Sequence, residues 1–188
     1  MAIFLAGGQS KRLKKENKLI KIFKKKPLIN HALNSVIKSK VNKIVIVLGY
    51  ESHKIKKIIK KNKKIIYIKN KNFKNGISSS IKTGLKKISN KDKGFIIIQS
   101  DMPFIKTSHI NKIYDSIIMK KHNIHALKYK NRIGNPVGFS ISILKKFKQI
   151  KGDYGAKFIL AKAKKNINFI KVSSSKTFKD LDNENDFI

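Results

Sequence analysis

Six apolar runs of strand length punctuate this chain: Ala2 to Ala6, Lys43 to Gly49 (KIVIVLG), Lys64 to Ile68 (KIIYI), Phe95 to Gln99 (FIIIQ), Ala126 to Tyr129 and Asn168 to Val172. Most are continuous rather than alternating. A strand with one wet face must alternate, whereas a continuous β-branched run suits a strand covered on both faces, as in a parallel sheet packed between helices. The segments between the runs carry helical spacing. Pro27 to Ser39 gathers Leu28, Ile29, Ala32, Leu33, Val36 and Ile37 on one face, with a proline in the first turn. Ile77 to Ile88 does the same through Ile77, Ile81, Leu85 and Ile88, and Ser108 to Met119 through Ile110, Ile113, Ile117 and Ile118. The alternation predicts an α/β fold: a Rossmann-like, doubly wound, mostly parallel sheet with right-handed crossovers, binding ligands beyond the carboxyl ends of its strands. With 188 residues, 40% of them hydrophobic, and no repeat, linker or composition shift, residues 1–188 are expected to form a single domain.

Charge has to be weighed against that picture, because 45 Lys and Arg face only 10 Asp and Glu, for a formal net charge of +35. Such an excess ordinarily points to nucleic acid or an anionic membrane surface. Here arginine occurs only at Arg12 and Arg132, and the lysines are dispersed among Ile and Asn, as expected from a coding sequence rich in A and T. Runs such as Lys24-Lys25-Lys26 and Lys60-Lys61 have no interleaved aromatic residues on which bases would stack. The lysines are read as a solvated surface with no specific nucleic-acid partner, and a lysine-rich nucleic-acid-binding module stands as the non-enzyme alternative. The absence of cysteine excludes disulfides, thiolate metal sites and cysteine nucleophiles. No apolar run approaches the ~18 residues of a membrane span, and the first segment lacks a signal peptide's apolar length and cleavage site. A soluble cytoplasmic protein with no membrane partner is expected.

The residues of chemical interest follow the strands. Ala2 to Ala6 breaks into Gly7-Gly8-Gln9-Ser10-Lys11-Arg12 and reaches Lys18. Glycines tolerate positive φ and lack a Cβ, so backbone N–H groups there can approach an anion, while Arg12 and Lys18 supply charge for a polyphosphate. The segment reads either as a phosphate-binding loop or as an ordinary turn; it has neither the Gly-Lys-Ser/Thr of a P-loop nor the G-x-G-x-x-G of a dinucleotide site. Asn75-Gly76-Ile77-Ser78-Ser79-Ser80 puts three hydroxyls at the opening turn of a helix, where free N–H groups favour an anion or a polar base edge; one serine would suffice as a cap. Gln99-Ser100-Asp101-Met102-Pro103 ends the FIIIQ run. A carboxylate there is placed to hold Mg²⁺, which takes one or two carboxylates with phosphate oxygens and water, although Asp101 as a helix cap is the alternative. Gly134-Asn135-Pro136 reads as a turn into an edge strand, and Gly152-Asp153 as a helix start with Asp153 as N-cap. His122 and His125 lack a third ligand and are read as solvent or core residues. The acidic tail, Asp180 to Asp186, reads as a solvated end.

Taken in order, these segments resemble the molybdenum cofactor nucleotidyltransferases, the cytidylyl- and guanylyltransferase branches of the MobA-like NTP-transferase superfamily, over nearly the whole chain. The family's L-A-[AG]-G-x-S-x-R-M-G opening is matched by Leu5-Ala6-Gly7-Gly8-Gln9-Ser10-Lys11-Arg12-Leu13, with Lys18 in the later lysine's place. Its G-x-S-x-S-[LI]-x-x-G-L is matched by Gly76 to Leu85, and its strand-end [DC]-x-P by Asp101-Met102-Pro103. Gly134-Asn135-Pro136-Val137, Gly152 to Lys157 and the tail from Asp180 to Phe187 resemble the cytidylyl branch. Lys14 stands where the family has a glycine, and Gly7 is the form associated with guanylyl enzymes, its missing methyl leaving room in the base pocket for a purine.

The resemblance implies a nucleotide-diphospho-sugar-transferase-like fold and transfer of CMP from CTP to the molybdopterin cofactor with release of pyrophosphate. GMP transfer from GTP, or transfer to another small phosphorylated acceptor, remains open, as does a non-catalytic carrier of molybdopterin. It further implies that Leu5, Ala6, Gly7, Gly8, Arg12, Lys18, Ser78, Ser79 and Ser80 bind the nucleotide. Arg12, Lys18 and Asp101 act in catalysis, Mg²⁺ sits on Asp101 with Asp153 as a second contact, and a molybdoenzyme or its chaperone is the downstream partner.

Overall fold

The structure, a computed structural model, describes residues 1–9, 17–163 and 166–187. Strand β1 (Ala2–Ala6) is followed by two short paired strands, β2 (Ile22–Phe23) and β3 (Lys26–Pro27), and by α1 (Leu28–Ile37). Next come β4 (Ile44–Leu48), α2 (Ser52–Ile58), β5 (Ile65–Lys69), α3 (Ile77–Leu85), β6 (Gly94–Gln99) and α4 (Thr107–Ile118). The remainder is β7 (Ile124–Tyr129), β8 (Arg132–Ser140), α5 (Ala156–Lys162) and β9 (Ile167–Lys171). Seven strands form one sheet in the order β5-β4-β1-β6-β8-β7-β9. Every pairing in it is parallel except those of β8, which runs antiparallel to β6 and β7. The expected doubly wound, mostly parallel sheet is the observed one.

Both faces of that sheet are covered, which is why its strands read as unbroken apolar runs. Phe4, Ile44, Ile46, Ile96 and Ile98 face one way and pack with Leu28, Leu33 and Val36 of α1 and Ile110, Ile113 and Ile117 of α4. Ile3, Leu5, Val45, Val47 and Ile97 face the other way, against Ile81 of α3, Ile159 of α5 and the 3-10 segment Ile141–Gln149. From β1 the chain moves outward to β4 and β5, then crosses back to β6 on the other side of β1. Strand order therefore reverses between β1 and β6, and a crevice opens beyond their carboxyl ends.

The structure corrects one reading of the sequence. Gly134-Asn135-Pro136 does not lead into an edge strand: all three residues lie within β8, an interior strand between β6 and β7. A proline lacks the N–H that an interior strand must donate, so it is confined to irregular positions. Here the register steps from Ala126 opposite Val137 to Leu127 opposite Gly134, which leaves Asn135 and Pro136 in a bulge outside the ladder.

Helix α3 lies very close to the sheet at Gly84, where an added Cβ would come 2.5 Å from Ile3 Cγ2 and 3.0 Å from Val47 Cγ2. Gly84→Ala is expected to overpack this contact and destabilise the fold by about 1–3 kcal/mol. Chemical denaturation measures it, and an unchanged midpoint would show that α3 does not need this close seat.

Candidate active site

A cleft of about 320 Å³ occupies the crevice, walled by Leu5 of β1 with Gly7 and Gly8 after it, by Lys18, by Gln99 at the end of β6 with Ser100 and Asp101 after it, and by Gly76, Ser80 and Asp153. Its floor depends on a close crossing of two loops. A Cβ on Gly49 would lie 2.6 Å from the Gly7 carbonyl oxygen and 2.8 Å from its Cα, so the backbones after β1 and β4 touch. Neither Gly7 nor Gly8 takes positive φ; the reason for glycine at Gly7 is this approach, not turn geometry. A Cβ on Gly7 would meet Gly49 N at 3.3 Å and Ser80 Oγ at 3.4 Å, so it would press on the cleft wall. Ala6 is fully buried behind the cleft, and Arg12 and Lys14 lie outside the described residues.

At the centre stands a three-residue ion cluster. Lys18 Nζ donates to Asp101 Oδ2 at 2.6 Å and to Asp182 Oδ1 at 2.6 Å, so the two carboxylate oxygens lie within twice that distance of each other. Burial pulls the Lys18 ammonium down, but the charge and hydrogen bonds of Asp101 and Asp182 outweigh it, and its pKa ends above the ordinary lysine value. Asp101 is fixed from both sides: the Ser100 hydroxyl donates to Leu5 O at 2.6 Å, and Leu181 N donates to Asp101 O at 3.2 Å. The acidic tail is thus no solvated end. Leu181 is fully buried, and the turn after it is held by Asp186 Oδ2, which accepts from Asp182 N and Asn183 N at 3.0 Å each.

These residues suit a hard divalent cation. Asp101 Oδ1 is buried with no hydrogen-bond partner among the described residues. Carboxylate oxygens are the donors Mg²⁺ prefers. Among the described residues no three or more His, Cys, Asp or Glu are placed to hold one metal ion together, so Asp101 and Asp182 would leave positions for phosphate oxygens and water.

The serine turn divides by task. Ser80 lines the cleft, and its Oγ accepts from Asn70 Nδ2 at 3.0 Å. Ser78 is buried, its Oγ accepting from Gly155 N at 3.2 Å, and Ser79 Oγ bonds Asn72 O and Gly76 O at 2.8 Å, so both are directed into the local fold and neither lines the cleft. Asp153 does cap a helix, but not its own: its Oδ1 accepts from Ile77 N, the first residue of α3, at 3.2 Å. Gly76 sits between them at φ 83, with Asp153 Oδ1 2.6 Å from where a Cβ would stand, so only glycine fits. Sequence reasoning missed Asn70, Gly49 and the place of Asp182; the resemblance of the tail was the one signal for the last. His125 is a core residue, 1% exposed, and burial pushes its pKa down.

Comparison with known proteins agrees with this fold. Residues 2–167 match the model of the MobA-like NTP transferase domain. Over 139 residues the chain is 29% identical to the bifunctional protein GlmU of Clostridioides difficile strain 630, a match covering 73% of this chain and 29% of that protein. The chain therefore spans less than a third of that relative's length. Among solved structures, Rv0371c of Mycobacterium tuberculosis H37Rv superimposes with a TM-score of 0.84 at 16% identity, covering 99% of this chain and 94% of that one. A second structure of that protein is a complex with manganese. CMP:2-keto-3-deoxy-manno-octonic acid synthetase complexed with CTP matches with a TM-score of 0.75 at 13% identity, covering 98% and 93% of the two chains. No helix among the described residues is long and apolar enough to cross a membrane.

The Asp182 turn carries its own pH signature. Backbone N–H groups of Asp182 and Asn183, aided by Lys179, hold the Asp186 carboxyl down to about 2 from 3.8. A depressed carboxyl stabilises the turn fully above its unfolded value, and that contribution fades as pH falls from about 4 through about 2. The amide resonances of Asp182 and Asn183 are expected to shift across that window, and at neutral pH in Asp186→Ala. Resonances that stay put in the variant would show that something else holds the turn.

Proposed function

The chain belongs to the MobA-like NTP transferase family, and from that premise we propose that it transfers CMP from CTP to the terminal phosphate of the molybdopterin cofactor, releasing pyrophosphate. The observation that carries the reading is the Asp101–Lys18–Asp182 cluster, set beside the Gly7-Gly8 loop where strand order reverses. In the reaction an acceptor phosphate oxygen attacks the α-phosphorus in line, a P–O bond forms, and the bond to the bridging oxygen breaks so that pyrophosphate leaves with its electron pair. The attacking phosphate is already ionised at neutral pH, so no general base is required. Positioning and neutralisation of charge supply the catalysis.

Gly7 and Gly8 present N–H groups to the triphosphate, Leu5 and Ser80 border the nucleotide, and the family resemblance assigns Arg12 to the triphosphate's charge. Asp101 and Asp182 would hold Mg²⁺, which when bound neutralises the phosphate oxygens and orients the leaving pyrophosphate. Lys18 keeps the two carboxylates together and supplies positive charge for the triphosphate from the cleft wall. Asp153 supports the Gly76 turn, and the second carboxylate of the metal site is assigned to Asp182. The CTP complex of a fold neighbour and the cytidylyl-like segments around Asn135, Asp153 and Asp182 support CTP. Gly7 supports GTP as the second reading.

Turnover with each of the four NTPs and Mg²⁺, with and without molybdopterin and followed by pyrophosphate release, tests the proposal. CTP with molybdopterin is expected to react fastest, and a rate that does not depend on molybdopterin would sink the acceptor. Asp101→Asn and Asp182→Asn are each expected to cost on the order of 100-fold or more, Asp153→Asn distinctly less. Lys18→Ala is expected to weaken NTP binding far more than Lys60→Ala, which alters an exposed side chain; equal effects would leave the cluster without a special role.

A further inference from the structure

A second cavity, of about 570 Å³, lies between α1, the start of α4 and residues 173–177, and shares no lining residue with the cleft. Four lysines, Lys26, Lys38, Lys106 and Lys176, line it, and no Asp or Glu does. In a chain this basic an all-lysine rim alone decides nothing. The polar groups inside carry the argument.

His109 lines the cavity and is 8% exposed. Lys106 N donates to its Nδ1 at 3.3 Å, so in the neutral ring the proton resides on Nε2. Burial first, then Lys106 and Lys112, push the ring's pKa down and keep it neutral. No described residue accepts from that Nε2–H. Thr177, 5% exposed, lines the same space, and its hydroxyl likewise has no partner among the described residues. Helix α4 opens here as well: His109 closes its capping box on Lys106 N, and Thr107, the first residue of the helix, is on the cavity wall. Two donors without a partner among the described residues, on side chains of residues more than nine-tenths buried, thus line one space together with a helix N-terminus and four lysines, and no acidic side chain lines it.

We propose that this cavity is a binding site for a phosphoryl oxyanion, taking inorganic phosphate or pyrophosphate on His109 Nε2–H, the Thr177 hydroxyl and the first N–H groups of α4. The lysines draw the anion in and set the salt dependence; His109, Thr177 and the helix start determine where it sits. Phe104, which also lines the cavity, has Lys176 Nζ 4.8 Å and Lys24 Nζ 5.8 Å from its ring centroid.

The test is a titration of the whole chain with phosphate, and separately with pyrophosphate, without metal, NTP or acceptor and at fixed ionic strength. It is read from the His109 ring nitrogens and the Thr107 and Ser108 amides by NMR, so its result stands apart from whether the chain transfers nucleotides. Saturable shifts of these signals are expected with one or both anions; tighter pyrophosphate binding identifies a two-phosphoryl ligand, and equal binding a single group. Thr177→Val, which removes a hydroxyl with no partner and is expected to fold, should weaken binding on the order of tenfold. Lys106→Ala with Lys176→Ala should flatten the salt dependence. Signals that move no more than with chloride at equal ionic strength, or shifts confined to Gly7 and Gly8, would overturn the proposal.

Discussion

Covering both faces of the sheet is the constraint from which the rest of this molecule follows. In β1, Ala2, Phe4 and Ala6 enter one core while Ile3 and Leu5 enter the other, and none is more than 8% exposed. A buried aliphatic side chain is worth about 1.5–3 kcal/mol, whereas a buried polar group without a partner costs about 1–3. Strand interiors sealed this way have little room for chemistry, so reactive groups collect at strand ends. The exception shows the rule: His125, inside β7, has its pKa pushed down by burial, and Asn168 Nδ2 reaches its Nδ1 only at a long 3.4 Å.

The Lys18 cluster is a poor device for stability. Its side chains are 13%, 19% and 28% exposed, and ion pairs this far from water recover their desolvation cost only when every partner is present. What it achieves is assembly, because it joins segments 83 and 164 residues apart in sequence to one nitrogen. Two carboxylates forced into proximity would repel without a cation between them. An ammonium in that place keeps the two carboxylates together at the edge of the cleft.

The architecture was legible because burial writes directly into residue pattern. Runs such as KIVIVLG and FIIIQ could be little else, and α1, α3 and α4 each bury several residues on one face. Helices α2 and α5 were illegible for the same reason in reverse: each buries one residue, Ile55 and Ile159, too few to show a period. In β8 the bulge at Asn135 and Pro136 hid an interior strand behind a turn signal. At the site, Asp101 could be read because it ends a buried strand. Asp182 could not be placed from local pattern, since an acidic tail looks solvated until Leu181 is seen buried beneath it. The three serines looked equivalent in sequence. Which of them faces the cleft depends on Asn70 and Gly155, and contacts of that kind have no sequence period.

Composition misleads here in an instructive way. A net charge of +35 says that the chain attracts anions everywhere, and so says nothing about where it holds one. Selectivity has to come from groups that water does not already satisfy. Lys60 and Lys61 are exposed and interact with any anion through a screened field, whereas Lys18 is drawn out of water by two carboxylates whose positions the fold fixes. The His109 cavity differs from the rest of the lysine surface because its His109 and Thr177 donors are neutral, have no partner among the described residues and belong to residues no more than 8% exposed. In a protein this basic, the informative positions are therefore the few polar groups that burial has made costly to leave alone.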